Sequence, residues 1–236
     1  MKKEILIICA THGNEKIGIG LVKKLKEKKL RKYFDYLIAN PKALKKNVRF
    51  LDCDLNRSYP GIENSEKYEE KRAFEIFKTA KEYKYVIDMH EASSGINNFI
   101  IVPRKTIGKL FPINLIDLNI ALLWPNPKGP LSQVLKNAIE LEFGMKNKNR
   151  EAVVGQAVKI VESFIERVCL NKPTKKVLQK KVYYVYGKLN SKDFEGKISG
   201  LKDFRKTKLG EEEFCPLLIG QYLKDGIVCY KMKEEA

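Results

Sequence analysis

Two histidines are present in this chain, and both stand close to acidic residues. His12 lies in the segment Thr-His-Gly-Asn-Glu, three positions before Glu15, and His90 lies in the segment Asp-Met-His-Glu. A catalytic zinc ion takes three protein ligands from histidine and carboxylate side chains and leaves a fourth position for water. A structural role explains either histidine alone, whereas His12, Glu15 and His90 together predict a site for one zinc ion per chain.

Short apolar runs precede both histidines and predict the strands that position them. The runs cover residues 4–10 and 85–89. Ligands bind at the carboxyl ends of the strands in an open α/β sheet, so the two histidines are expected to meet at one edge. Gly13 is expected to permit a tight turn that directs His12 and Glu15 toward the same ion.

The first 171 residues alternate between helix-like and strand-like patterns. Apolar residues at three- and four-residue steps predict helices over residues 17–30, 65–83 and 152–168. Further strands are predicted over residues 34–39, 99–102 and 138–143. This alternation indicates an α/β fold in which helices cover both faces of a mostly parallel or mixed sheet.

The pattern changes near Lys172-Pro173, and no convincing helical periodicity follows. Short β-like runs, separated by glycine and charged residues, occupy positions 177–186, 194–198, 214–219 and 227–230. We therefore expect two domains, an α/β domain over residues 1–171 and a small C-terminal β subdomain over residues 172–236.

Charge and composition limit the class of protein. The 236 residues carry a net charge of +17, which permits an anionic substrate or nucleic acid as a partner. The favoured interpretation is a lysine-rich composition that coats solvated helix faces, as at Lys23-Lys24. Nucleic acid is disfavoured because the basic residues are spread along the chain and are not clustered with aromatic residues. No apolar run approaches the length of a membrane span, and the five scattered cysteines indicate no disulfide framework, so a cytoplasmic protein is expected.

Five separated motifs occur in an order that is typical of one family. They are Thr-His-Gly-Asn-Glu at 11–15, Asn-Pro at 40–41, the segment 49–57, Asp-Met-His at 88–90 and Glu-Phe-Gly at 142–144. In these motifs the sequence resembles the succinylglutamate desuccinylase/aspartoacylase family of the zinc carboxypeptidase superfamily. The resemblance runs from about Ile5 to Gly144 and continues weakly beyond. It implies a zinc-dependent deacylase with a three-layer α/β/α fold of the zinc-carboxypeptidase type.

The resemblance also implies a role for each matching residue near the metal. His12, Glu15 and His90 bind zinc. Glu142 is the general base, which takes a proton from the zinc-bound water and later donates it to the leaving amine. Arg49 polarises the scissile carbonyl and stabilises the oxyanion. These roles agree with general chemistry, since zinc lowers the pKa of its water to about 7 and a nearby carboxylate can then move the proton.

Substrate contacts are implied at three further positions. Asn56 and Arg57 hold the α-carboxylate of the substrate, which a planar guanidinium binds through two parallel hydrogen bonds. Tyr222 stands where the family places a tyrosine that contacts the substrate, although a tyrosine packed in a β-strand is the favoured interpretation.

Strand alternation leaves the roles of some acidic residues open. Glu140 and Glu142 share one face of a strand over residues 138–143, and Glu142 is preferred as the base because Glu-Phe-Gly matches the family. Asp88 shares a strand face with His90 and could orient it through a hydrogen bond. Glu91 is a less favoured alternative as a metal ligand.

One position departs from the family pattern. The family carries an arginine about ten residues before the base glutamate, where it holds the second carboxylate of the substrate. This chain has Ser132 there and no arginine from Lys105 to Asn149, so Lys128 or Lys136 is the candidate replacement. We expect the substrate to be an N-acyl amino acid or another small amide.

The leading prediction is therefore a zinc-dependent amidohydrolase that releases an amino acid from its acylated form. A metallocarboxypeptidase is the alternative within the enzymes, because it also needs an anchor for a carboxylate. A basic nucleic-acid-binding protein without catalysis is the alternative from another class, and a metal-binding protein without activity is the third.

Overall fold

The computed structural model describes residues 3–93, 95, 97–103, 113–118, 120–124, 129–173 and 181–235. The strands are β1 (Ile5–Cys9), β2 (Phe34–Ile38), β3 (Tyr85–Ala92), β4 (Asn98–Pro103), β5 (Ile120–Trp124), β6 (Ala138–Gly144), β7 (Lys181–Asn190), β8 (Thr207–Leu209), β9 (Glu212–Leu217) and β10 (Ile227–Glu234). The helices are α1 (Ile17–Glu27), α2 (Pro41–Lys46), α3 (Tyr68–Ala80), α4 (Leu131–Val134) and α5 (Arg150–Leu170).

One mixed sheet joins all of these strands, in the order β2-β1-β3-β6-β4-β5-β7-β10-β9-β8. Strands β2, β1, β3 and β6 run parallel to one another. Strand β4 is antiparallel to β6, and β5 and β7 then continue parallel to β4. The parallel half brings the carboxyl ends of β1, β3 and β6 side by side, which is where the predicted site residues stand.

Both faces of the parallel half are covered by helices. Ile5, Ile7 and Cys9 face the layer formed by α1 and α5, and Leu6 and Ile8 face the layer that contains α3. All five side chains are at most 1% exposed, which explains why β1 is a continuous apolar run rather than an alternating one. The predicted three-layer α/β/α architecture is confirmed.

Local signals explain where the predicted helices end. Helix α1 stops at Glu27, three residues before the predicted end, because Lys29 adopts a left-handed conformation with φ of 59°. Helix α5 is longer than predicted, because the Asn149 side chain accepts the Glu151 amide at its start and a left-handed Asn171 ends it. The short helix α2 and strand β5 were not predicted.

The C-terminal strands extend the main sheet instead of forming a detached layer. Strand β7 pairs in parallel with β5, and β10, β9 and β8 follow in antiparallel order. The predicted run over 177–186 lies partly outside the described residues, and the run over 194–198 is flanked by 3-10 turns and is not a strand. The domain boundary at residue 171 stays a prediction. No helix in the described ranges is long and apolar enough to span a membrane.

Candidate active site

The predicted metal ligands meet at the carboxyl ends of β1 and β3. His12 and Glu15 lie in the turn between β1 and α1, where the Glu15 amide donates to the His12 carbonyl at 3.0 Å. His90 lies inside β3, which continues to Ala92, so the predicted strand end at residue 89 was too early. All three side chains are buried, and one ligand atom from each lies within 4.8 Å of the others.

Glu15 bridges the two histidines. Its Oε1 lies 2.7 Å from Nδ1 of His12, and its Oε2 lies 3.2 Å from Nδ1 of His90. Burial by itself raises the pKa of Glu15, but the two histidines hold that pKa well below its usual range. Three ligand atoms of the types that metal ions bind are thus gathered in one buried cluster.

An aspartate faces the other ring nitrogen of each histidine. His12 Nε2 lies 3.1 Å from Asp54 Oδ1, and His90 Nε2 lies 3.1 Å from Asp88 Oδ2. The Thr11 hydroxyl donates to the second oxygen of Asp88 at 2.7 Å. The sequence singled out Asp88 but not Asp54, because Asp54 stands 42 positions from His12 in a loop and no periodicity links the two.

Strand β6 brings two glutamates beside this cluster. It pairs with β3 in a register that sets Glu142 opposite His90 and Glu140 opposite Asp88. Both glutamates line the same cavity, as their alternation predicted. Burial raises the pKa of Glu142 to about 7, although the nearby His90 opposes this shift. The negative charges of Glu15 and Glu140 reinforce it.

Glu140 lies deeper than Glu142 and is only 2% exposed. The Ser132 hydroxyl donates to its Oε1, and Asn56 Nδ2 donates to its Oε2 at 3.3 Å. Ser132, which stands in place of the family's arginine, is therefore buried against a carboxylate. Lys136 is exposed and is not among the described residues that line the cavity, and Lys128 lies outside the described residues.

Two arginines line the cavity, and their partners differ. Arg49 donates through Nε and Nη2 to Asp54 Oδ2 at 3.2 and 3.1 Å, and its Nη1 lies 3.6 Å from Glu15 Oε1. Arg57 donates to the backbone carbonyl of Asn56 at 2.9 Å. Within the described part of the chain, no carboxylate lies within 4.0 Å of the Arg57 guanidinium. Arg57 is therefore the arginine that is available to an incoming anion.

The loop between β9 and β10 closes one side of the cavity. It contributes Leu218, Gln221 and Tyr222 to the lining, and Gln221 Oε1 accepts a hydrogen bond from the Ser93 hydroxyl at 2.8 Å. Tyr222 lies in a turn and lines the cavity, so the favoured prediction of a strand tyrosine is wrong. Burial raises the pKa of Tyr222 to about 12, which keeps its hydroxyl protonated at neutral pH.

Glu91 stabilises the start of α1. Its Oε1 accepts the backbone amides of Lys16 and Ile17, both at 2.7 Å, and Arg150 also donates to this oxygen. An acceptor at a helix N-terminus satisfies amides that have no partner within the helix. This use of the carboxylate agrees with the lower rank that the sequence gave Glu91 as a metal ligand.

Gly13 is required because two backbone segments approach each other closely. A Cβ atom at this position would lie 2.2 Å from the carbonyl carbon of Ala43 and 2.3 Å from the amide nitrogen of Leu44. The Gly13 amide also donates to the carbonyl of Arg49 at 3.1 Å. The turn that carries His12 and Glu15 is thereby packed against α2 and the segment that carries Arg49.

The cavity joins the buried cluster to polar and apolar walls. Its apolar lining consists of Ala92, Ile101, Pro130 and Leu218. Its cations come from the segment after α2, and its two glutamates come from β6. His12 and Glu15 of the buried cluster also lie in its lining. Such an arrangement can hold a metal ion, bind a carboxylate and supply a partly buried carboxylate of near-neutral pKa within one cavity.

Known proteins are similar to this chain in sequence and in fold. The sequence is 27% identical over 251 residues to an N-acyl-aromatic-L-amino acid amidohydrolase (carboxylate-forming) of Xenopus laevis, across 92% of this chain and 80% of that protein. The fold is similar to murine aminoacylase 3, with a TM-score of 0.74 and 17% identity over 99% of this chain and 95% of that one. It is also similar to succinylglutamate desuccinylase from Chromobacterium violaceum, with a TM-score of 0.77 and 18% identity over 99% and 85% of the two chains.

The family comparison covers most of the α/β part of the chain. The profile of the succinylglutamate desuccinylase/aspartoacylase catalytic domain matches residues 1–167. This range contains the three candidate metal ligands, both cavity arginines and the two glutamates of β6. The match spans well over half of the 236 residues, and so the chain belongs to the succinylglutamate desuccinylase/aspartoacylase family.

Proposed function

We propose that this protein is a zinc-dependent amidohydrolase that cleaves the amide bond of an N-acyl amino acid. One observation carries the proposal: two histidine Nδ1 atoms converge on Glu15, and Glu142 lies directly across the paired strands from His90. A metal-ligand cluster beside an ionisable carboxylate in a cavity is the arrangement that metal-assisted hydrolysis requires.

The residues of the cluster fit zinc by their chemistry. Two imidazoles and one carboxylate form a ligand set that catalytic zinc commonly uses. The contacts of Glu15 with both histidines, at 2.7 and 3.2 Å, are close to the spacing of neighbouring ligands around one small ion. Asp54 and Asp88 face the remaining ring nitrogens, which is the usual way in which proteins orient metal-binding histidines.

Zinc, when bound there, would supply Lewis-acid chemistry and lower the pKa of a water molecule to near neutrality. Glu142 accepts the proton of the attacking water and later delivers it to the leaving amine. Its pKa of about 7 suits both steps, because a base that must also act as an acid works best near the operating pH. Arg49 stabilises the negative charge that develops on the carbonyl oxygen.

The carboxylate of the substrate binds at Arg57, assisted by Asn56, whose Nδ2 donates one N–H to Glu140 and has a second N–H for the substrate. The support for this assignment is that Arg57 lines the cavity and has no carboxylate partner among the described residues. Tyr222 donates its hydroxyl to the bound substrate from the loop that closes the cavity. The relative from Xenopus laevis is named for action on N-acyl-aromatic amino acids, which supports the amide bond of an acylated amino acid as the reacting group.

Metal analysis together with an activity screen tests the proposal. Elemental mass spectrometry of the purified protein should find about one zinc per chain, and His12→Ala and His90→Ala should each lose it while circular dichroism shows an intact fold. The wild type should release an amino acid from at least one member of a panel of N-acyl amino acids. Release of the C-terminal residue from an unmodified peptide in the same screen would instead support the carboxypeptidase alternative. A wild type that binds no zinc even after reconstitution would refute the proposal, and salt-dependent nucleic-acid binding would then be measured.

A further inference from the structure

Glu140 is a buried carboxylate at the cavity that the proposed reaction does not use. It is 2% exposed, it lines the cavity, and its Oε2 lies 3.9 Å from Nε2 of His90. Among the described residues it accepts two side-chain hydrogen bonds, one from Ser132 and one from Asn56. A carboxylate in this place gives the inner end of the cavity a negative lining.

Asn56 adds a second acceptor at the same place. Because Glu140 accepts, the amide of Asn56 must direct its Nδ2 to that carboxylate, and its Oδ1 is left over. Asn56 is only 5% exposed, and its Oδ1 is a buried atom with no hydrogen-bond partner among the described residues. A buried acceptor without a partner is costly unless something fills it, so this oxygen indicates a ligand that donates a hydrogen bond.

We propose that Glu140 and Asn56 Oδ1 form an acceptor subsite, which selects an amino acid whose side chain ends in a hydrogen-bond donor. An amide or ammonium group supplies the N–H that both oxygens accept. A second carboxylate on the substrate has no hydrogen to donate and is repelled by the negative charge of Glu140. The subsite therefore excludes acylated dicarboxylic amino acids. This inference rests on the proposed function, because it names the substrate class of the same cavity.

The cavity lining contains oppositely charged side chains that can take different parts of the substrate. Arg57, which lacks a carboxylate partner in the described residues, takes the α-carboxylate that every N-acyl amino acid carries. The apolar side chains of Ile101 and Pro130 line the cavity along with Glu140 and can contact the body of the substrate side chain. The opposite charges of Arg57 and Glu140 would fix the orientation of the bound amino acid, because the reversed orientation would place its α-carboxylate against the Glu140 carboxylate.

Binding of free amino acids, which are the products of the reaction, tests this subsite without any turnover. Calorimetric titration of the purified protein should compare the isosteric pairs L-asparagine with L-aspartate and L-glutamine with L-glutamate, and should include L-lysine. We expect the carboxylate member of each pair to bind about 10-fold or more weakly than the amide member. L-lysine is the probe for an ammonium tip.

Glu140→Gln is the matching variant, because it keeps the size of the side chain and supplies an amide in place of the charge. This variant should reduce the difference in affinity within each isosteric pair to less than about 3-fold, mainly because it binds L-aspartate and L-glutamate more tightly than the wild type does. Glu195→Gln makes the same substitution at an exposed position and should leave the difference unchanged.

Two outcomes would overturn the inference. One is wild-type protein that binds L-aspartate or L-glutamate as tightly as the matching amide, and the other is protein that binds none of these amino acids. Both are measured on the wild type, so they do not depend on whether Glu140→Gln folds. Discrimination by binding without hydrolysis of any N-acyl amino acid would refute the proposed activity and leave the subsite standing.

Discussion

The ring centroids of His12 and His90 lie 5.3 Å apart, although 77 residues stand between them in the sequence. The intervening chain forms α1, β2, α2, α3 and the first part of β3. Each ring directs Nδ1 toward Glu15, and each has an aspartate at its Nε2. The pairing of β1 with β3 creates this relationship, because it brings two strand ends to the same edge of the sheet.

Asp88 is expected to orient His90 for metal binding. Asp88→Asn should weaken zinc affinity about 10- to 100-fold, because the ring loses the anionic partner that fixes its orientation. A competition titration with a chromophoric chelator would measure the affinity. Asp193→Asn, at an exposed position, is the control and should bind zinc as the wild type does. Equal affinity in all three proteins would remove Asp88 from this role.

Glu142 is expected to act on protons and not on the metal. Glu142→Gln should keep about one zinc per chain and lower kcat by about 10²-fold or more, since an amide cannot accept the proton. Metal content and steady-state kinetics on the same preparation check both parts. Loss of zinc in this variant would instead make Glu142 a ligand, and unchanged kcat would transfer the base role to another residue.

Arg57 is expected to bind the substrate carboxylate. Arg57→Ala should raise KM for an N-acyl amino acid by about 10- to 100-fold, because a hydrogen bond to a charged group contributes about 1.5–3 kcal/mol. The same substrate with its carboxylate converted to a neutral amide should show a much smaller difference between variant and wild type. Arg205→Ala, at an exposed position, is the matched control. An unchanged KM would exclude Arg57 as the anchor.

Gly13 and Gly155 should respond in opposite ways to the same substitution. Gly13→Ala forces a Cβ to within 2.2 Å of the Ala43 carbonyl carbon, so the backbone must shift, at a cost of about 1–3 kcal/mol of stability. Gly155 lies in α5 with nothing within 4 Å of an added Cβ, and Gly155→Ala should stabilise by about 0.5–1 kcal/mol. Urea unfolding of both variants measures the two effects, and a neutral Gly13→Ala would contradict the close approach.

Asp203 should make stability depend on pH. Burial raises its pKa from 3.8 to about 6, and its Oδ1 accepts the Ile219 amide at 3.3 Å. Between these two values the unfolded chain loses the proton and the folded chain keeps it, so this residue lowers stability as pH rises from about 4 to 6. The loss is on the order of 3 kcal/mol, since one pKa unit corresponds to about 1.4 kcal/mol.

Asp203→Asn removes the charge and keeps an oxygen that can accept the Ile219 amide. It should therefore unfold at higher denaturant concentration than the wild type at pH 7.5, and the advantage should vanish below about pH 4. Urea midpoints of both proteins at the two pH values measure this. An advantage of equal size at both values would show that the charge of Asp203 is not its cause.

The pattern of residue types was sufficient for the architecture. The apolar run of β1 reflects a strand that is buried on both faces, and the structure contains that strand. The three- and four-residue steps of α5 reflect a helix that is buried on one face, and the structure contains that helix. The resemblance carried by five motifs was also sufficient for the family, because ligands, arginines and Glu-Phe-Gly occur in a specific order that chance does not reproduce. Lengths and ends were less certain, since caps such as Asn149 and Asn171 act locally and do not change the hydrophobic period.

The cavity itself was decided by the tertiary structure. Asp54 reaches His12 through a loop, and Tyr222 arrives from a turn between two strands added at the far side of the sheet, so no local pattern could connect them to the site. The sequence could set Glu140 and Glu142 on one strand face but could not separate their roles. The two roles differ because Glu140 is more deeply buried than Glu142 and accepts hydrogen bonds from Ser132 and Asn56. Such contacts exist only after distant segments of the chain have packed together.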